Sequence, residues 1–185
     1  VNNNANVEGS LIGIHADSTS LLDGDSVNVQ NTGAATTVKG DAGNGIEAKI
    51  LGGGTVNVGT SGSPILGTVQ GVGAGSNGIL GAGLGDINVY TGNLSAVIGG
   101  TTGAAWGINA QSTSNAADGN ADEIVINTFG TVSGRQGILA INTGKDLGGA
   151  GVGDTIDIQT SQASATVTAS DGDGIRATGA AGNIR

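Results

Sequence analysis

The amino-acid sequence predicts an all-β fold: a right-handed parallel β-helix of about six coils, each carrying three short strands, with residues 1–185 forming a single β-solenoid segment. Three observations carry this expectation. A Gly-Ile-x-small tetrapeptide recurs about once every 30 residues, two further apolar units lie between its copies, and the intervening stretches are rich in Gly, Asn, Asp, Ser and Thr.

The first strand of each coil is marked by Gly13-Ile14-His15-Ala16, Gly45-Ile46-Glu47-Ala48, Gly78-Ile79-Leu80-Gly81, Gly107-Ile108-Asn109-Ala110, Gly137-Ile138-Leu139-Ala140 and Gly174-Ile175-Arg176-Ala177. The intervals are 32, 33, 29, 30 and 37 residues. The second strand is an apolar-x-apolar unit: Val27-Asn28-Val29, Val56-Asn57-Val58, Ile87-Asn88-Val89, Ile124-Val125-Ile126 and Ile156-Asp157-Ile158. Period-2 alternation of this kind buries one face of a strand. The third strand is centred on Val38, Val69, Val97, Val132 and Val167, and a Gly-rich turn follows it. Single coils cannot bury their apolar faces, whereas stacked coils can. Ile is therefore expected over Ile, and Val over Val, up the tube. The Gly before each Ile is expected to supply a positive-φ corner. Trp106 and Pro64 read as turn residues, with Trp106 covering an edge of the tube. The unequal intervals place the longest loops at residues 111–121 and 143–153. Val7 to Ile12 and Gly182 to Arg185 read as parts of further strands, so the segment is expected to belong to a longer chain.

Composition supports the small-residue tube. With 38 Gly and a single Trp, Tyr and Phe, the core must be built from aliphatic side chains. A helix would lose about 1 kcal/mol at each Gly, and no window shows apolar recurrence at three and four residues. The net charge of −9, with only six Lys and Arg, removes the cationic footprint of nucleic-acid binding. No run reaches the ~20 apolar residues that cross a bilayer, so no direct membrane insertion is expected, and Val1 to Asn6 has no signal-peptide pattern. The absence of cysteine excludes disulfides and thiolate metal sites.

The outward columns hold the candidate binding residues. They read His15, Glu47, Leu80, Asn109, Leu139, Arg176 on the first strand and Lys39, Gln70, Ile98, Ser133, Thr168 on the third. The second reads Asn28, Asn57, Asn88, Val125, Asp157. The ladder Asn28, Asn57, Asn88 offers amides to glycan hydroxyls, although such amides more commonly bond to one another along a stack. His15, the single histidine, is expected to form a surface ion pair with Glu47.

Catalytic readings lack a constellation. Glycoside hydrolysis needs two carboxylates at a defined separation. The sequence-adjacent acids Asp23 with Asp25, Asp122 with Glu123, and Asp171 with Asp173 all fall at turns, and Arg135 and Arg176 belong to different parts of the coil. Residues 73–78 match a dinucleotide fingerprint without the helix it requires. Residues 148–154 approach a calcium-binding glycine-rich repeat with Asp154 one place late, and Asp171-Gly172-Asp173-Gly174 starts like an EF-hand loop without its closing Glu. Asn93-Leu94-Ser95 is a glycosylation sequon that matters only in a eukaryotic secretory protein. No enzyme activity, cofactor or metal is expected.

The Gly-Ile-x-Ala coil with Val-Asn-Val strands and Gly/Thr/Ser/Asn-rich turns resembles the passenger domains of bacterial autotransporters, over essentially all 185 residues. The resemblance implies export through a C-terminal outer-membrane barrel of the same precursor and display on a Gram-negative cell surface. It also implies a role in adhesion, either directly or as a stalk for binding loops, with a glycan or protein receptor or self-association as the partner. A self-assembling filament or surface-layer subunit is the alternative, followed by a glycan-active enzyme.

Overall fold

The computed structural model describes residues 1–22, 24–113, 122–143, 155–179 and 183–185. They form a right-handed parallel β-solenoid of about five turns. The first coil contributes β1 (Asn2–Asn3), β2 (Val7–Gly9) and β3 (Ile14–Ser18), and the second β4 (Ser26–Asn31), β5 (Thr37–Gly40) and β6 (Ile46–Ile50). The third contributes β7 (Thr55–Val58), β8 (Ile65–Gly71) and β9 (Ile79–Gly83), and the fourth β10 (Ile87–Ile98) and β11 (Trp106–Ser112). Next come β12 (Glu123–Thr128), β13 (Thr131–Gly134) and β14 (Gln136–Asn142), then β15 (Thr155–Thr160), β16 (Thr166–Ala169) and β17 (Ile175–Gly179).

The registers follow the repeats residue for residue. Ile14, Ile46, Ile79, Ile108, Ile138 and Ile175 pair in one column. Val27, Val56, Ile87, Ile124 and Ile156 form the second, and Ile184 extends it through a parallel bridge to Ile156. Val7, Val38, Val69, Val97, Val132 and Val167 form the third. From the second to the fifth coil these side chains are buried, and they make one continuous aliphatic core. β-Branched residues suit such a wall because their stiff rotamers stand off the pleat and pack on the coils above and below.

Four expectations need correction. The glycines preceding Ile do not have positive φ; among the described residues that conformation occurs at Gly59, Gly67, Gly75, Gly103 and Gly172. At Gly13, Gly45, Gly78, Gly107 and Gly137 the role is close approach. A Cβ on Gly45 would lie 2.8 Å from Val69 Cγ1 and 2.8 Å from the Gly78 carbonyl oxygen, and one on Gly107 would lie 2.5 Å from Val132 Cγ1. The first and third strands meet here too closely for any side chain.

Trp106 is not a turn residue. It opens β11 and is only 5 % exposed. The first-strand outward column is also less exposed than alternation predicts: Glu47, Asn109 and Leu139 are buried, while His15 and Arg176 in the first and last coils are exposed. Inside a stack, neighbours a strand spacing above and below cover even an outward side chain. Lastly, the fourth coil does not break between its second and third strands. β10 runs through both, so these two faces form one 11-stranded sheet and the first strands form a separate six-stranded one. Thr91 pairs with Ile65 and Ser95 with Gly67, which leaves β10 two residues longer than β8 at this corner. The bulge pushes Asn93 and Leu94 outward, and Gly67 opposite it adopts φ 73°.

Candidate functional site

The second-strand column places Asn28, Asn57 and Asn88 in register. Asn88 Nδ2 donates to Asn57 Oδ1 at 3.1 Å, Asn57 Nδ2 donates to Asn28 Oδ1 at 2.9 Å, and Asn28 Nδ2 donates to Ser26 Oγ at 2.8 Å. Each amide thus spends a donor inside the protein. Val125 in the next coil ends the ladder.

A second asparagine ladder lies at the buried corner before the Gly-Ile marks, where the sequence reads Asn44-Gly45-Ile46 and Asn77-Gly78-Ile79. Asn44 Oδ1 accepts from the Asn77 backbone N–H at 2.7 Å and from Asn77 Nδ2 at 3.0 Å, and Asn77 Oδ1 accepts from the Trp106 N–H at 3.1 Å. Asn44 Nδ2 donates to Glu47. A buried corner leaves backbone N–H groups without a strand partner, and a stacked amide meets that need.

His15, Asp17 and Glu47 form the one cluster among the described residues whose atoms lie close enough to hold a metal ion. His15 Nε2 lies 2.8 Å from Asp17 Oδ2 and 3.7 Å from Glu47 Oε1, so the expected partner Glu47 is the farther of the two. The Lys49 ammonium contacts the same Glu47 oxygen. Burial pushes the Glu47 carboxyl up, but hydrogen bonds from Lys49 and Asn44 and the nearby charges of Lys49 and His15 outweigh it and hold Glu47 below the usual carboxylate range. A divalent ion here would have to displace Lys49, which makes the cluster an ion-pair network first.

The acidic pairs are dispersed. Asp23 and residues 148–154 lie outside the described residues, as do most of the two longest loops. Asp171 receives a two-pronged contact from Arg135, Nε at 3.1 Å and Nη2 at 2.9 Å, and Arg135 also donates to the Gly103 carbonyl. Glu123 accepts from Thr155 Oγ1 at 3.0 Å, and Asp122 is buried. Residues 73–78 form a turn into β9, with no helix N-terminus to hold a phosphate. On the third face, Lys39 Nζ bridges Asp41 at 2.7 Å and Glu8 at 2.8 Å; hydrogen bonds to Asp41 and then Glu8 push its ammonium above its ordinary range.

A groove that sequence reasoning passed over lies where the second and third faces meet. Tyr90, Phe129, Pro64, Leu66, Asn93 and Gln162 are among its lining residues, and its volume is about 260 Å³. It gathers two of the chain's three aromatic residues onto neighbouring coils, since β10 pairs with β12 and the Phe129 N–H donates to the Thr91 carbonyl at 3.1 Å. Aligning Val89-Tyr90-Thr91 with Ile126-Asn127-Thr128-Phe129 would have brought the aromatics to one corner. Compared with known proteins, the chain matches no family model, no curated protein and no solved structure. Among the described residues no helix is long and apolar enough to cross a membrane.

Proposed function

We propose that this chain is a non-catalytic β-helical segment displayed on a bacterial surface, which acts in adhesion or as a stalk that presents binding loops. The observation that carries the reading is how its polar side chains are used. Asn28, Asn57, Asn88, Asn44 and Asn77 bond along the stack, and Lys39, Lys49 and Arg135 are committed to carboxylates in the same or adjacent coils. Such bonding holds a rod in register, whereas catalysis needs unpaired acids and bases converging on one point. The resemblance to autotransporter passengers supplies the Gram-negative surface and the outer-membrane barrel of the same precursor.

Brief protease treatment of intact cells, followed by the mass of the released and retained fragments, tests this proposal. A long chain trimmed from outside with a membrane-embedded remnant supports it; a protein that stays inside the cell overturns it. Deleting one period, residues 78–106, joins Asn77 to Gly107 and preserves the Asn-Gly-Ile corner. A stalk keeps distal binding after this deletion, and a segment that itself makes the contact through this coil loses it.

A further inference from the structure

The groove where the second and third faces meet has three properties that occur together nowhere else among the described residues. It is aromatic in a chain that is 2 % aromatic. It is uncharged: none of its lining residues is ionisable except the Tyr90 phenol, on a protein of net charge −9. Its amides are unspent, because among the described residues the side chains of Asn93 and Gln162 and the Tyr90 hydroxyl have no hydrogen-bond partner, whereas the ladder amides do. The β10 bulge is what brings Asn93 there. Two extra residues turn it to the exposed side of β10, and the adjacent Gly92 leaves room for Leu66; a Cβ at that position would lie 2.4 Å from Leu66 Cδ2. Bulges commonly re-aim side chains at binding sites.

Flat apolar rings beside uncharged amides and hydroxyls match a neutral pyranose, whose ring C–H groups pack on an aromatic face while its hydroxyls take up amide donors and acceptors. The volume is just below the ~300–1,000 Å³ of drug-sized sites, which suits one or two sugar rings. We propose that this groove is a binding site for a neutral saccharide, with one ring against Tyr90 and Phe129 and its hydroxyls on Asn93 and Gln162. The inference deepens the display reading and rests on it for biological use, but the binding itself belongs to this chain alone.

Saturation-transfer NMR on the 185-residue chain, with the methyl glycosides of glucose, galactose, mannose and N-acetylglucosamine up to about 20 mM, spans the millimolar range of weak contacts. Transfer to the ring protons of at least one glycoside is expected. Tyr90→Ala should weaken it by about tenfold, and Asn93→Ala or Gln162→Ala by about threefold or more, with Asn28→Ala as the unaffected control. Asn93 and Gln162 are exposed, so their variants report on binding even if Tyr90→Ala misfolds. No transfer from any of the four glycosides, or transfer unchanged by both amide substitutions, overturns the proposal. Cell-surface display confirmed by protease trimming, with no saccharide bound, would sink this inference alone; saccharide binding by a protein found inside the cell would sink the display reading alone.

Discussion

Replacing Gly45 by Ala adds one methyl group at the seam where the first and third strands meet. In place, that carbon would stand 2.8 Å from three atoms: the Gln70 amide nitrogen, the Gly78 carbonyl oxygen and Val69 Cγ1. Ordinary contacts begin about 0.6 Å farther out, and two of the three atoms are backbone. Relief would require the second and third coils to separate, which stretches the Ile46 N–H to Gly78 bond of 2.9 Å and the Gly45 N–H to Asn77 bond of 3.0 Å. Overpacking of this kind costs about 1–3 kcal/mol. For a chain of this size that lowers the melting temperature by roughly 2–12 °C. Gly174 provides the internal control, because it has the same place in the motif, the same ordinary φ and nothing within 4 Å of its would-be Cβ. Gly174→Ala should therefore be neutral, or stabilising by up to about 1 kcal/mol through the unfolded chain. Urea unfolding followed by circular dichroism gives both midpoints. If the two variants lose equal stability, or Gly45→Ala loses none, the steric account of the motif is wrong.

Three more outcomes follow from particular contacts. Asn77→Ala strands the Trp106 N–H and removes the side-chain bond to Asn44, so it should cost about 2–4 kcal/mol, whereas Asn57→Ala, in the more exposed ladder, should cost about 1 kcal/mol; thermal melts of the two variants give the order. Glu47 has a folded-state carboxyl below its ordinary value of 4.5, so its stabilising share is complete above that pH and is lost as pH falls through the lower folded value; Glu47→Gln should flatten the acid limb of stability measured from pH 6 downward to about 3. Arg135→Ala removes a largely exposed ion pair with Asp171, should cost no more than about 1 kcal/mol, and should cost less in 0.5 M salt than at low ionic strength, as paired denaturation curves would record.

The apolar columns were legible because each rests on two signals that agree, alternation within a strand and recurrence between coils. Ile46 over Ile79 and Val38 over Val69 need nothing else. The bridge from Ile156 to Ile184 was legible for the same reason. What escaped depends on neighbours that a linear reading does not bring together. Glu47 alternates outward yet is covered by Asn44, Lys49 and the next coil, and Asn77 looks like one more turn residue until it stands over Asn44. The positive-φ explanation of Gly13, Gly45, Gly78, Gly107 and Gly137 failed because conformational freedom and lack of bulk leave the same letter in a sequence. Tyr90 and Phe129 lie 39 positions apart, and the pairing of β10 with β12 makes them one surface, to which the two-residue bulge at Thr91–Ser95 adds Asn93.

The parallel pairing of every coil with the next also sets how the rod meets a pulling force. Inter-coil hydrogen bonds run along the solenoid axis, perpendicular to the strands, so tension between the chain termini peels an end coil away a few bonds at a time instead of shearing a whole sheet at once. Each peeled coil, such as the 33 residues from Ile46 to Ile79, releases roughly 110 Å of chain at ~3.3–3.6 Å per residue. Nearest-neighbour stacking leaves the remaining coils folded while this happens. A solenoid built this way lengthens in coil-sized steps under load.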